Sequence, residues 1–422
     1  MLDIKFIIDN QEYVKEKLSQ RGFDVSIIDE LSLKAKELGK VMFSNQEMQS
    51  KIKALSSDIA KNKNDKKIVE DIKNQITEIK NNQQKLKKKE DELNEFVKYN
   101  LERIPNIPLD EVPVGKDENN NVVIAEHSKL GKGLVNQPIS HDTLGAEFEI
   151  FDIPRAVKLS GSRFVLFKKD GAKLIRAIQN FMLDEHIKRG YIEYNTPVLV
   201  KENIMYGTGQ LPKFEEDLFK LTNNLYLIST AEVSLTNIFN NEIVDLTNPI
   251  KLTAFTECFR SEAGSGGKDT KGIIRSHQFK KVELVKIVKE EDSKKEFELL
   301  LSDAKNILEK LELPFREVIL CTGDLGFSSQ KTIDLEVWMP SEFKYREISS
   351  VSTFGDFQGR RAMIRYKDND GNNKYAYTIN GSGLAIDRLI AAIIENNYDE
   401  KNNLITIPKA LWSYFGKKTI TK

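Results

Sequence analysis

KLTAFTECFRSEAGSGGKDTKGIIRSHQFKKVELVKIV, from Lys251 to Val288, reads as two strands joined by a long loop rich in Gly, Lys and Arg. Side chains alternate across a strand, so Cys258, Arg260 and Glu262 share one face of the outgoing strand. His277, Phe279, Lys281 and Glu283 share one face of the returning strand. One surface therefore collects a guanidinium, carboxylates and an aromatic ring. Phe279 and Glu283 stand roughly 13 Å apart along an extended chain. That span suits a ligand with a base at one end and an amino acid at the other. The connecting loop (Gly264, Gly266, Gly267, Lys268, Lys271, Gly272, Arg275) is cationic, as a lid over phosphates would be. The plain alternative is an ordinary hairpin with a solvated basic loop, and this stretch alone does not choose between them.

Outward from it, residues 171–422 read as one body. Ala172 to Lys188 and Glu290 to Leu313 carry apolar residues at helical spacing. YIEYNTPVLV reads as a strand holding Pro197, which belongs at an edge because proline cannot donate to a ladder. Leu225 to Asn237 reads as a buried strand running into Thr230, Ala231 and Glu232. IDLEVWM, YREISSVST and KYAYTIN add further strands, the last entering a Gly381-Ser382-Gly383 turn before a helix with Arg388. Strands in hairpins with helices around them predict an antiparallel sheet. The GSG sequence lacks the third glycine of a dinucleotide fingerprint.

Upstream, Ile104-Pro-Asn-Ile-Pro108 and Val112-Pro-Val-Gly115 mark a boundary, so residues 104–170 are expected to be a linker segment. A short strand is predicted there over Arg163 to Phe167. Residues 1–103 show heptads: Ile28, Ala35 and Met42 with Leu31, Leu38, Ile52 and Ile59, then Val69, Ile76 and Val97 with Ile72, Ile79, Leu86 and Leu93. Asn45, Gln49, Gln83 and Glu90 interrupt the seam, and KNKNDKK (Lys61 to Lys67) is a turn. Two antiparallel helices, each on the order of 45 Å long, are the expected result. Residues 61–90 hold ten Lys against five acids, a projecting basic arm suited to a phosphate backbone or simply to solvent.

The 422 residues carry 64 basic and 64 acidic side chains, so any nucleic-acid partner must be met by local patches. Two Cys argue against a disulfide framework, and four His without a CxxC or HxxxH pairing argue against zinc. No apolar run approaches the ~20 residues of a membrane span, and the N-terminus has no leader pattern. A cytoplasmic protein is expected.

MLDIKFI, IPNIP, GTGQLPKF, STAEV, FRSEAGSGGKDTKGIIRSHQFKKVE, DLEVWMP, YREISS, DFQGRR and NGSGLAIDR occur in order behind a coiled-coil arm. With them the chain resembles the seryl-tRNA synthetases, a family of class II aminoacyl-tRNA synthetases, over nearly its whole length. The resemblance implies an α+β fold, with an antiparallel coiled-coil arm at residues 1–103 that binds tRNA and a class II catalytic domain at 171–422. The implied activity is ATP-dependent attachment of L-serine to tRNA(Ser), extending to a selenocysteine tRNA where one exists. Implied partners are ATP, L-serine, Mg²⁺, tRNA and a second copy of the chain, joined through the segment ending at Pro197. Catalytic roles fall on Arg260, Glu262 and Arg388. ATP contacts fall on Arg260, Ser261, Glu262, Arg275, Ser276, His277, Gln278, Phe279, Glu347, Ile348, Ser349, Ser350 and Arg388. Serine contacts fall on Thr230, Ala231, Glu232, Arg260, Glu283, Asn380 and Ser382, and Mg²⁺ on Glu347 and Ser350.

The chain departs from the family pattern in three places. Val351-Ser352-Thr353 stands where Cys-Ser-Asn is common, Ser229 where proline is common, and Lys268 and Lys271 where arginine is usual. Two other readings predict losses: an inactive paralogue that binds RNA or protein through the arm would lack Arg260, Arg388 or Glu283, and a ligase charging a carrier protein would lack the arm. Those features are all present.

Overall fold

A computed structural model describes residues 1–128, 138–263 and 271–422. Lys268 and the glycines 264, 266 and 267 lie outside the described residues. The chain divides into two compact units, Leu2–Pro105 and Asn106–Lys422 together with Met1.

In the first unit two short helices, α1 (Ile4–Asp9) and α2 (Gln11–Ser19), precede α3 (Ile27–Lys61) and α4 (Lys66–Leu101). α3 and α4 have 35 and 36 residues, roughly 53 Å each. The side chain of Asp65 caps α4, accepting from the N–H groups of Lys67 and Ile68 at 3.1 and 3.2 Å. Along α4 the expected seam faces inward, with Ile72, Leu93 and Val97 buried. Along α3 it drifts: Met42 and Gln49 are exposed and Val41 is buried in Met42's place. Leu31 and Asn45, fourteen residues apart, are both buried, so one series holds its place while the other moves back by one position. Asn45 is buried in this seam and its amide N–H donates to Glu90, while its Oδ1 is left without a hydrogen-bond partner.

The second unit is organised on eight strands: β1 (Val122–His127), β2 (Ile192–Glu193), β3 (Ile250–Phe259), β4 (Gln278–Val288), β5 (Phe315–Ile319), β6 (Lys331–Met339), β7 (Lys344–Gly355) and β8 (Tyr377–Ala385). Their order across the sheet is β1-β5-β6-β7-β8-β4-β3-β2. Neighbours are antiparallel except β2, which runs parallel to β3. The helices used below are α5 (His141–Glu147), α6 (Asp170–Lys188), α7 (Ala231–Asn237), α8 (Ser293–Lys310), α9 (Phe357–Ala362) and α10 (Ile386–Asn396). On β4, Val282 and Leu284 point into the main core, with α6, α8 and α10. Val285 and Ile287 point the other way, into a smaller cluster with Ala231 and Leu235 of α7. Phe279, Lys281 and Glu283 share that second face by the period of two.

Four sequence expectations change. Arg163–Phe167 is no strand: Arg163 has φ +61°, and only Phe167 bridges, to Phe151. The predicted strand around Pro197 is two short ones, Ile192–Glu193 and Leu199–Lys201, with the proline between them where no donor is needed. Ala231–Asn237 is helix, with Thr230 as its N-cap accepting from the Glu232 N–H at 3.2 Å. Gly381-Ser382-Gly383 is no turn but the middle of β8, with Gly381 opposite Leu284 and Ser382 opposite Glu283. Its glycines serve close packing. A Cβ on Gly381 would lie 2.5 Å from Leu300 Cδ2, and one on Gly383 2.5 Å from His186 Nε2.

Candidate active site

The hairpin of β3 and β4 sets the floor of the site through its register. Cys258 lies opposite Phe279, Thr256 opposite Lys281 and Ala254 opposite Glu283. Just past β3, the N–H of Arg260 donates to the His277 carbonyl at 2.9 Å, extending the ladder by one rung. The guanidinium of Arg260 lies over the Phe279 ring, 5.1 Å from its centroid. The two acids nearest Arg260 in sequence have other cations beside them. Glu262 pairs with Arg275 at 2.6 Å, and Glu257 lies 3.5 Å from Lys280. Glu262 has φ +53°, a conformation costly for a side chain with a Cβ. Local strain is thus spent on turning its carboxylate to Arg275.

His277 is held on both sides: its N–H donates to the Arg163 carbonyl at 2.9 Å, and its Nδ1 lies 3.0 Å from the Arg260 carbonyl. Ser261 Oγ donates to the Glu216 carbonyl at 2.6 Å, so its hydroxyl fastens a neighbouring loop. Gln278 donates to Glu257 at 3.2 Å. Ser276 is buried against the smaller cleft. Ser349 is also buried, and its Oγ donates to the Ser382 carbonyl at 2.7 Å. Ser349 therefore ties β7 to β8.

Across the sheet, Arg388 on α10 donates from Nη1 to the Glu347 carbonyl at 2.6 Å and lies 3.3 Å from the Glu347 carboxylate. Its Nε donates to the Ile274 carbonyl at 3.1 Å. Surrounding atoms oppose the charge on Glu347, but Arg388 and Arg260 outweigh them and hold its carboxyl below the usual value.

Glu347 and Ser350 are three apart, which in a regular strand would place them on opposite faces. A bulge intervenes: Glu347 lies opposite Glu336, Ser349 opposite Leu335 and Ser350 opposite Asp334. The extra residue brings Glu347 and Ser350 to one face, with Asp334 and Glu336 across from them. Asp334 Oδ1 is buried without a hydrogen-bond partner. Desolvation, then the nearby Glu347, push its carboxyl well above the ordinary range. Such an oxygen-only donor set fits a hard divalent cation. Among the described residues no three His, Cys, Asp or Glu form a metal cage, so such an ion would need oxygens from its ligand as well.

Thr230, Glu232, Glu283, Asn380 and Ser382 gather beside this face. Thr230 Oγ1 donates to Glu283 at 3.1 Å, and Lys281 pairs with the same carboxylate at 2.5 Å, with Glu283 1% exposed. Glu232 accepts from Gln358 of α9 at 2.7 Å, and Gln358 accepts from Thr378 at 2.6 Å. Burial, with Glu283 adding to it, raises the Glu232 carboxyl to about 7 even though Gln358 and Asn380 donate to it. Ala231 is buried at the start of α7 and offers backbone only.

Sequence reasoning missed Lys281, Gln358 and Asp334 as site residues. Lys281 was on the correct face, whereas Gln358 and Asp334 come from strands and helices whose position no local spacing reveals.

A cleft of about 60 Å³ holds Arg260, Phe279, Lys281, Glu347, Ile348, Ser382 and Arg388. An adjoining one of about 520 Å³ holds Gln210, Phe214, Ser229, Thr230, Glu232 and again Arg260, Glu262 and Arg275. An aromatic platform, two arginines and a buried acidic pocket on an antiparallel sheet define a class II aminoacyl-tRNA synthetase core. The family profile "tRNA synthetase class II core domain (G, H, P, S and T)" matches residues 213–397.

The "Seryl-tRNA synthetase N-terminal domain" profile matches residues 1–108. A serine--tRNA ligase of Mycoplasmopsis agalactiae is 58% identical over 421 residues, all of both chains. One of Nautilia profundicola is 49% identical, over 98% of this chain and 100% of its own. The crystal structure of the Pyrococcus horikoshii seryl-tRNA synthetase complexed with ATP superposes with TM-score 0.92 at 35% identity, covering 100% of this chain and 99% of that one. The chain belongs to the seryl-tRNA synthetase family.

Proposed function

We propose that this chain activates L-serine with ATP and transfers it to the 3′-terminal adenosine of tRNA(Ser). The observation that carries this reading is the placement on one face of Arg260 over Phe279, with Arg388 at one side and the Thr230–Glu283–Glu232 pocket at the other. Adenine would stack on Phe279, and Arg388 would hold the γ-phosphate. Arg260 would bridge the α-phosphate and the serine carboxylate, a bidentate task that Lys performs poorly. Glu232 and Thr230 would receive the ammonium, and Glu283 and Ser382 the hydroxyl.

A serine carboxylate oxygen attacks the α-phosphorus, the bond to the bridging oxygen of the β-phosphate breaks, and pyrophosphate leaves. A ribose hydroxyl then attacks the carbonyl carbon of the adenylate and AMP leaves. Positioning and charge stabilisation carry the first step, with no covalent nucleophile from the protein. Glu347 and Ser350 would hold Mg²⁺, which supplies charge neutralisation on the phosphates. Glu283 Oε2 is taken by Thr230 and Lys281, so the serine hydroxyl would be accepted by Oε1, and alanine would leave that acceptor unfilled, a deficit that can discriminate by about 10⁴.

The lysine-rich turn after α3 and the first part of α4, residues 61–90, suit the tRNA backbone. Homodimerisation would use the segment ending at Pro197, where β2 forms a sheet edge and Ile187 and Ile192 are 43% and 57% exposed. No helix among the described residues is long and apolar enough to cross a membrane, which agrees with a cytoplasmic site of action. Crystals soaked with a non-hydrolysable seryl-adenylate mimic should show its base on Phe279 and its amino group at Glu232. An empty face would refute the reading.

A further inference from the structure

His141, the first residue of α5, takes no part in the chemistry above, yet it is 5% exposed and fully engaged. Its Nδ1 lies 2.7 Å from Glu395 Oε1, and that oxygen also accepts the His141 backbone N–H at 2.9 Å. The other Glu395 oxygen accepts the Ser341 N–H at 3.0 Å. Desolvation opposes the charge on Glu395, but hydrogen bonds from His141 and Ser341 outweigh it and keep its carboxyl below the ordinary value. The carboxylate can only accept, so Nδ1 carries the proton and Nε2 presents a lone pair.

That lone pair faces the backbone N–H of Ile273 at 3.3 Å. The approach depends on the residue before it. Gly272 has φ +73°, and a Cβ there would fall 2.1 Å from His141 Nε2. Ile273 and Ile274 are the returning root of the β3–β4 loop, and both line the smaller cleft.

The helix closes the circuit. Glu395 and Arg388 are both on α10, seven residues or about two turns apart. Arg388 grips the Ile274 carbonyl directly at 3.1 Å, and Glu395 grips the Ile273 N–H through the imidazole. The peptide groups on either side of the Ile273–Ile274 bond, Gly272–Ile273 and Ile274–Arg275, are thus pinned to one helix at two points. With only the Arg388 contact, the loop root could pivot about it and carry the guanidinium along.

We propose that His141 is a positioning residue for the ATP-dependent step, a strut between Glu395 and Ile273 that fixes the loop root and so the aim of Arg388. The proposal rests on the assignment of the smaller cleft to ATP. It concerns geometry alone: His141 touches neither substrate nor reacting atoms.

Asparagine and glutamine separate the two ends of the strut. The amide of Asn overlays Nδ1 and keeps the bond to Glu395, but it does not reach Ile273. The amide of Gln overlays Nε2 and can accept from the Ile273 N–H. In serine-dependent pyrophosphate exchange, His141→Asn should raise KM for ATP about tenfold, since misplacing a positioning group by about 1 Å is costly. KM for serine should stay within about twofold, and His141→Gln should restore most of the ATP dependence. Gly272→Ala leaves His141 and Glu395 in place and drives a methyl group at Nε2, so it should raise KM for ATP as His141→Asn does. Equal behaviour of Asn and Gln, parallel rises in both KM values, or an unmoved Gly272→Ala would overturn the strut. Arg388→Ala run alongside distinguishes the two readings. If it raises KM for ATP while His141→Asn does not, the strut falls alone; if it leaves KM for ATP unmoved, the cleft assignment falls and the strut with it.

Discussion

Arg260 is placed by three contacts that leave its charge facing the cleft: the rung to His277, the Ser229 carbonyl at 3.4 Å from Nε, and the Phe279 ring beneath. If, as proposed, it stabilises charge that develops at the α-phosphate, Arg260→Ala should lower serine-dependent pyrophosphate exchange by about 10²–10³ or more. Unchanged exchange would remove Arg260 from the reaction. Glu232 gives a pH signature. Burial raises its carboxyl to about 7, and to receive the serine ammonium as proposed it must be charged. Serine binding should therefore strengthen as pH rises, with KM for serine falling by about tenfold per unit below that value and levelling above it. Glu232→Gln should flatten the profile. The effect on stability runs the other way: the raised folded value favours the native state at low pH, a contribution lost as pH climbs from the unfolded value through about 7. The Phe279-to-Glu283 face was legible in the sequence because a strand alternates strictly. The Glu262–Arg275 pair was not, since it depends on a left-handed backbone that spacing does not announce.

Among the elements, β7 and β8 show where local reading stops. Tyr345 to Thr353 reads as a strand, and β7 is one. The bulge that aligns Glu347 with Ser350 has no glycine to mark it, so the sharing of one face came only through the resemblance. β8 misled in the other direction. Two glycines around a serine look like a turn, whereas Gly381 is there because α8 packs directly on the strand. Gly381→Ala would set its methyl 2.5 Å from Leu300 and 2.9 Å from Val351. We expect a loss of about 1–3 kcal/mol by urea unfolding, as for other overpacked cores. A neutral result would return Gly381 to a conformational role. The arm shows a finer limit. The heptads gave both helices and the turn, but not the burial of Val41 in place of Met42, since both are apolar and spacing alone does not choose between them.

At the scale of the whole molecule the chain separates a catalytic body from a helical arm whose basic excess is confined to residues 61–90. On the proposed reading, adenylate formation uses residues of the body alone. Deleting Leu31 to Glu95 should spare serine-dependent pyrophosphate exchange while tRNA charging collapses and loses its steep salt dependence. Charging that survived intact would deny the arm any role with tRNA. Family membership was legible because many short motifs keep their order along the chain. The convergence of Gln358, Asp334 and His141 on the site was not, because each arrives from a different element and only the fold brings them in. The most direct test of the account is exchange of labelled pyrophosphate into ATP by the intact protein with each amino acid in turn. Serine should support exchange at least about 10³-fold better than alanine, because alanine lacks the hydroxyl proposed to fill the buried Glu283 acceptor. Exchange driven equally by alanine, or absent with serine, would contradict it.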